Sequence, residues 1–330
     1  MNSFGRYFRL NIFGESHGES VGINIDGIPA GLPLEFDEFL ADLERRRGGG
    51  QKGTTPRKED DLPIFKSGLF NGHTTGAPLT ILFENNNTRS GDYEKIRAIP
   101  RPGHADFVAH KKFSGFEDFR GGGHFSGRLT VALVAAGVIA KKILMLKGVE
   151  VKAEIVEIGG EKDPEAGLQK AIDAKDSVGG IVECRVSGLP IGWGEPFFDS
   201  VESVLSHAVF AIPAVRGIEF GTGFEAAKMF GVQHNDAILN NEGKTSTNHA
   251  GGIVGGITNG NELVFRIAIK PTSSTPKEQE SLNWETGEVE KFSVKGRHDL
   301  CIALRVPVVL EAVTACVLTD LMMAAKNNQL

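Results

Sequence analysis

The sequence predicts an α+β fold, and three observations carry that reading. Short runs of apolar and polar alternation, which read as strands, are mixed with long apolar stretches that read as helices. These elements do not follow the regular strand–helix–strand order of a parallel sheet. No segment recurs at a fixed period, which sets aside solenoids and propellers. The chain has 330 residues, 40% hydrophobic and 24% charged, enough to bury a substantial core. No clear break divides it, so residues 1–330 are read as a single domain.

Residues 21–28, VGINIDGI, alternate apolar with small or polar residues as a strand does, and Pro29, Ala30 and Gly31 end the run. Residues 33–47 are predicted to be a helix. Phe36, Phe39, Leu40 and Leu43 form one apolar stripe, acidic residues come early, and Arg45, Arg46 and Arg47 complement the dipole in the last turn. Residues 129–146 and 307–326 read as two further helices, the second opened by Pro307, whose fixed φ suits a first helical position. Residues 181–186 and 263–270 read as strands.

Composition excludes several function classes. A net charge of -6 argues against a general nucleic-acid binder, so any anion site must be local. Cys184, Cys301 and Cys316 are far apart and form no CxxC pair, so neither a disulfide framework nor a cysteine-rich zinc site is expected. No metal is expected, and a reducing cytoplasm fits. Arg6 and Arg9 precede Gly14 with no apolar run, so no secretory signal is expected. The longest apolar run, 129–140, is too short to cross a bilayer, and no membrane partner is expected.

Glycine is the outlier: 42 of 330 residues, about 13% against a usual ~7%. It clusters at 48–50, 121–123, 251–252 and 255–256. Glycine is favoured where the backbone takes positive φ or approaches something closely, so several loops are expected to surround one ligand.

Four segments carry candidate chemistry. In GESHG, Gly14 and Gly18 leave space beside His17, which Glu15 could orient, although a structural histidine has the same appearance. RPGHAD sets His104 in a Pro-Gly turn between Arg101 and Asp106. Turn chemistry explains the Pro-Gly pair but not why a second histidine is presented in the same manner. FRGGGHFSGRLT, 119–130, reads as a glycine loop feeding a helix N-terminus, where backbone N–H groups suit a phosphate. It lacks the Lys-Ser or Lys-Thr of a nucleotide triphosphatase loop. The fourth segment is GRHD, 296–299, preceded by KPTSS, 270–274; each places a cation beside hydroxyl or carboxylate groups, a pattern for binding phosphate or carboxylate, although Ser/Thr turns are also ordinary loop punctuation.

Taken in order, GESHG, RRR with its glycine loop, TTPRKEDD, RPGHAD, FRGGGHFSGR, HAGGIVGGITNG, KPTSS and GRHD resemble the chorismate synthase family, from about Phe8 to Leu321. Each motif alone is weak, and the ordered set is specific. The resemblance implies a β-α-β sandwich and a cytoplasmic homotetramer. It implies a carbon–oxygen lyase of the shikimate pathway of aromatic amino-acid biosynthesis. The reaction implied is the anti-1,4-elimination of phosphate from 5-enolpyruvylshikimate 3-phosphate to give chorismate, dependent on reduced FMN and without net redox change.

The resemblance also implies roles by position. His17 resembles the family's proton donor to the leaving phosphate, and His104 the histidine that protonates the reduced flavin. Asp299 resembles the aspartate that helps move the substrate proton towards the flavin ring nitrogen. Flavin-contacting positions correspond to His124, Phe125 and Ser126, to Pro213 and Ala214, to Gly255, to Lys270, Pro271, Thr272, Ser273 and Ser274, and to Arg297. Arg46 and Lys52 fall where the family contacts substrate or a reduced nicotinamide nucleotide, and Arg101 and Arg128 should face substrate anions. A substrate with a phosphate and carboxylates gives local cations on an acidic chain a reason. NADPH used by the chain itself and an external reductant both stand as ways to keep the flavin reduced, since no GxGxxG fingerprint selects between them.

Three departures from the family pattern stand out: RRRGGGQ where most members have RRRPGQ, His124 in place of an arginine, and Leu300 after Asp299 where proline is common. None removes a proposed catalytic group. A flavin-free sugar-phosphate lyase would use similar glycine loops. A polyanion binder would use the arginine clusters, and the net charge of -6 opposes it.

Overall fold

Two helices without a polar face decide the architecture. The computed structural model describes residues 2–48, 50, 52–55, 59–87, 97–294 and 298–327. Helix α3, Thr130–Met145, is buried along most of its length, and helix α6, Val306–Asn327, is almost as apolar. A helix that is hydrophobic all round must be covered on every side. α3 and α6 pack against each other and are enclosed by two antiparallel sheets, the layer order of a β-α-β sandwich.

The first sheet contains β1 (Ser3–Phe4), β2 (Arg9–Gly14), β3 (Ser20–Asp26), β4 (Ile64–Ser67) and β5 (Leu79–Glu84) in the order β1-β2-β3-β5-β4. α3 packs on β3 and β5. The second sheet contains β6 (Glu150–Ile158), β7 (Gly180–Ser187), β8 (Val215–Phe220) and β9 (Leu263–Ile269) in the order β8-β9-β7-β6, and α6 packs on β6 and β7. The described core is one continuous apolar cluster running through both sheets and both helices. Shorter helices among the described residues include α1 (Leu40–Arg46), α2 (Asp106–Lys112), α4 (Pro164–Ala174) and α5 (Val201–Val209).

The contact between α3 and α6 is close because Gly137 has no side chain: a Cβ there would lie 2.2 Å from the Ala312 Cβ. By length and composition the stretch Ile302–Lys326 could cross a membrane, yet most of it is buried between α3 and the second sheet.

The helix expected over 33–47 is shorter and divided. A 3-10 turn, Phe36–Phe39, leads into α1. Phe39 and Leu43 are buried, whereas Phe36 and Leu40 are 40% and 37% exposed. Three residues per turn in the 3-10 segment rotate position 36 away from the face that an α-helix would give it.

Candidate active site

The loops that leave the ends of these elements converge on one cleft of about 370 Å³. Its first wall is a glycine run shaped around two histidines. Gly121, Gly122 and Gly123 all have positive φ, at 61°, 81° and 52°. A Cβ on Gly121 would lie 2.5 Å from His17 Cδ2, and one on Gly122 would lie 3.2 Å from His104 Cε1. The Ser16 N–H donates to the Gly123 carbonyl at 3.1 Å, tying the GESHG turn after β2 to this run. The run therefore differs from the anion-binding helix entrance expected from its sequence. A second 3-10 turn, Gly127–Leu129, separates it from α3, and Ser126 Oγ caps that turn by accepting the Arg128 N–H at 3.2 Å.

His104 stands before α2 with Nδ1 2.6 Å from Asp106 Oδ1. Arg101 Nη2 is also 3.1 Å from Nδ1. A guanidinium can only donate and a carboxylate only accept, so the short contact is read as Nδ1–H donating to Asp106. In the neutral imidazole this leaves the lone pair on Nε2, which packs over Gly122, 3.3 Å from where its Cβ would be. Asp106 also accepts from the Arg101 N–H at 3.0 Å, from Nε at 2.7 Å and from Nη2 at 2.8 Å. Burial would raise the Asp106 pKa, but the Arg101 and His104 donors outweigh it and hold the carboxyl well below the usual range.

Opposite lies a buried ion cluster. Asp61 accepts from Arg46 Nη2 at 2.6 Å with one oxygen and from Arg128 Nη1 with the other. Asp61 has φ +52°, an unusual conformation for a non-glycine residue, here tied down by two guanidiniums. Burial would raise its pKa as well, and the two arginines reverse the shift. The Arg46 pKa is lowered to about 10, chiefly by burial and further by Arg128 and Arg305, with Asp61 opposing. Arg128 also donates to Asn85 Oδ1 at 2.8 Å and to the Glu84 carbonyl at 3.1 Å, which anchors it to the end of β5.

The third wall begins where β9 ends. The Lys270 N–H donates to the Ala214 carbonyl at 2.9 Å, and the KPTSS loop then folds onto the RPGHAD turn. Lys270 Nζ donates to the Gly103 carbonyl at 2.5 Å, Ser273 Oγ donates to the same oxygen at 2.8 Å, and Arg101 Nη1 donates to Ser274 Oγ at 3.0 Å. Burial lowers the Lys270 pKa, helped by Arg216. Phe125, Pro213, Ala214 and Pro271 supply apolar surface to the same cleft. Asp299 lines the remaining side, accepting from the Thr55 N–H at 2.9 Å and from Arg305. Arg46, Arg47, Arg101, Arg128, Lys270 and Arg305 thus face Glu59, Asp61, Asp106 and Asp299, a local positive excess in an acidic chain.

Comparison with known proteins identifies this architecture. The family profile described as chorismate synthase matches residues 8–323. A chorismate synthase of Chitinophaga pinensis is 74% identical over 328 residues, covering 99% of this chain and 98% of that one. One of Thermococcus gammatolerans is 42% identical, covering 98% of each. A crystal structure of chorismate synthase matches with a TM-score of 0.74 at 26% identity, covering 97% of this chain and 93% of that one. The chain belongs to the chorismate synthase family. It is accordingly a carbon–oxygen lyase, and its α+β sandwich is the chorismate synthase fold.

Most positions that the family resemblance singled out meet in the cleft, and three of them do not. Lys52 is exposed and its Nζ donates to Gln169 Oε1 at 2.8 Å. The His124 ring turns back to the Gly14 carbonyl, with Nδ1 at 2.8 Å, and borders a neighbouring apolar cavity. Gly255 sits at the exposed tip of the hairpin between Ile253–Val254 and Ile257–Thr258 and does not line the cleft. Arg297 lies outside the described residues, as do Gly49 and Gln51 of the RRRGGGQ loop. Sequence reasoning missed Asp61 and Arg305. Asp61 was hidden in the charged run TTPRKEDD. Arg305 carried a signal: a cation at the start of a helix, where the dipole disfavours it.

Proposed function

We propose that the chain eliminates phosphate from 5-enolpyruvylshikimate 3-phosphate to give chorismate, with reduced FMN as its bound cofactor. The observation that carries this reading is the pair of imidazoles, His17 and His104, packed on one glycine run at the wall of a cation-rich cleft. In the elimination a carbon–oxygen bond breaks, phosphate leaves with the electron pair, and the ring gives up a proton. The departing phosphate needs positive charge and a proton donor. Arg46, Arg101 and Arg128 supply the charge, each charge-assisted contact being worth ~1.5–3 kcal/mol. His17, 8% exposed and lining the cleft, is the proposed donor of that proton. Asp299 takes part in removing the ring proton. Asp106, 2.6 Å from His104 Nδ1, favours a proton on that nitrogen, and Nε2 is the proposed point of proton exchange.

The residues fit a flat ring system with polar edges. Among the described residues, Thr272 Oγ1 and Arg46 Nε are buried without a hydrogen-bond partner, and both residues line the cleft. Phe125, Pro213 and Ala214 would flank the ring, with Ser126 and the segment from Lys270 to Ser274 holding its polar groups. Bound reduced FMN supplies an electron-rich ring that can share charge with the substrate as the carbon–oxygen bond breaks. NADPH or an external donor would keep it reduced. The proposal includes a homotetramer, supported by Phe197, Phe198, Phe224, Phe230 and Val232, large apolar side chains that are all strongly exposed on one chain. It also includes a cytoplasmic location, with which three buried free cysteines are compatible.

The test is an anaerobic assay of chorismate formation with chemically reduced FMN. Turnover supports the proposal, and its absence in folded protein overturns it. Repeating the assay with oxidised FMN plus NADPH separates a chain that reduces its own flavin from one served by an external donor.

A further inference from the structure

Helix α6 begins beside a side chain that helix electrostatics disfavours. Arg305 closes the 3-10 turn Ile302–Arg305 and directly precedes Val306, at the positive end of a 22-residue helix. Its side chain is only 17% exposed, and its Nε is buried without a hydrogen-bond partner among the described residues. A guanidinium in that position calls for a carboxylate to hold it, and among the described residues its ion pair is with Asp299.

The pair also determines how Asp299 is presented. The backbone beside Asp299 is pinned: the Leu300 N–H donates to the Gly53 carbonyl at 2.9 Å, and the Leu300 carbonyl accepts the Val178 N–H at 3.0 Å. This fixes where the side chain starts and leaves the carboxylate plane free to rotate. Two donors on different oxygens remove that freedom. The Thr55 N–H takes Oδ1 at 2.9 Å and Arg305 Nη2 takes Oδ2. Thr55 belongs to a loop, whereas Arg305 is joined to α6, which is packed through the core.

We propose that Arg305 is a positioning residue that, together with the Thr55 N–H, locks the Asp299 carboxylate in the orientation it presents to the cleft. The part Asp299 plays in turnover rests on the function proposed above, but the locking does not.

Two readouts test it, with melting temperature confirming that each variant is folded. In anaerobic turnover, Arg305→Met is expected to lower kcat by ~10–100-fold, the cost of a misplaced catalytic group, with KM within about threefold. Arg305→Lys should recover part of the loss. The double variant with Asp299→Asn should be no slower than Asp299→Asn alone, because the two residues act as one unit. Penalties that multiply in the double variant overturn the proposal. The second readout is the Thr55 backbone amide resonance of the ligand-free protein. Asp299→Asn should shift it, and Arg305→Met and Arg305→Lys should shift it in the same direction, the lysine less. A Thr55 resonance that moves in Asp299→Asn but stays in place in both arginine variants also overturns the proposal. This readout decides the positioning even where no chorismate is formed, so failure of the function and failure of the lock are distinguishable.

Discussion

Gly121 and His17 are in contact in a way that no other residue at position 121 would allow. A Cβ on Gly121 would lie 2.5 Å from His17 Cδ2 and 2.6 Å from Nε2, and its φ is +61°. Gly121→Ala is therefore expected to displace the imidazole. The left-handed conformation costs an alanine only ~1–2 kcal/mol, so the protein should still fold. Turnover should fall by about 10²-fold. Gly122→Ala approaches His104 no closer than 3.2 Å and should cost less. Steady-state rates and melting temperatures of the two variants test this, and equal turnover in both would contradict a glycine run shaped around His17.

Asp61 joins Arg46 and Arg128, and its removal leaves two buried guanidiniums with no carboxylate between them. Asp61→Asn is expected to destabilise the fold by ~3–5 kcal/mol. The pH dependence follows from the direction of the shifts at Asp61 and Asp106, both lowered in the folded protein. Their stabilisation is fully present above the ordinary carboxylate pKa of about 4 and is lost as pH falls through the depressed folded values. Denaturant unfolding at a series of pH values should show stability falling below about pH 4. The fall should be shallower in Asp61→Asn, and an unchanged acid limb would contradict the assignment.

Gly137 sets two effects against each other. Within a helix, alanine is favoured over glycine by about 1 kcal/mol. At this position a Cβ would also lie 2.2 Å from the Ala312 Cβ and 2.4 Å from its Cα, and backbone cannot yield as a flexible side chain can. Overpacking costs ~1–3 kcal/mol, so Gly137→Ala should lower stability. Thermal and denaturant unfolding check the sign; a gain in stability would mean that α3 and α6 can separate without penalty.

The fold was legible where burial leaves the chain no alternative. Residues 129–146 and 307–326 read as helices and are observed at Thr130–Met145 and Val306–Asn327, because long apolar runs have to be enclosed. Residues 33–47 were only half legible, because the 3-10 turn at Phe36–Phe39 depends on local geometry that apolar spacing does not specify. In the site, His17 and His104 could be picked out by their glycine neighbours. Asp61 could not: the two guanidiniums that hold it belong to Arg46 and Arg128, 15 and 67 residues away, and residue type gives no hint of its positive φ. The family resemblance sets His124 beside a cofactor, whereas its ring orientation depends on the turn before it. Gly123, with φ 52° and ψ -128°, redirects the chain just before it, and the ring meets the Gly14 carbonyl. Torsions of this kind leave no trace in residue type beyond the presence of glycine.

The remaining prediction concerns the partner of His104. Asp106 lies 2.6 Å from His104 Nδ1, while Arg101 supplies three further donors to the same carboxylate. Asp106→Asn keeps the size of the side chain and one acceptor, but the amide can donate to Nδ1 where the carboxylate could only accept. The imidazole is then free to carry its proton on Nε2, the tautomer opposite to the one that Asp106 selects. If His104 exchanges protons through Nε2, turnover should fall by ~10²–10⁴-fold. Arg101 loses a charge partner in the same variant, so substrate affinity has to be measured alongside. A loss confined to KM would place the effect in anion binding by Arg101. A loss in kcat, together with imidazole nitrogen resonances showing Nε2 protonated in the variant and Nδ1 protonated in the parent, would assign it to His104. Parent and variant with the same tautomer and the same kcat would remove Asp106 from the proton chemistry and leave it as an anchor for the RPGHAD turn.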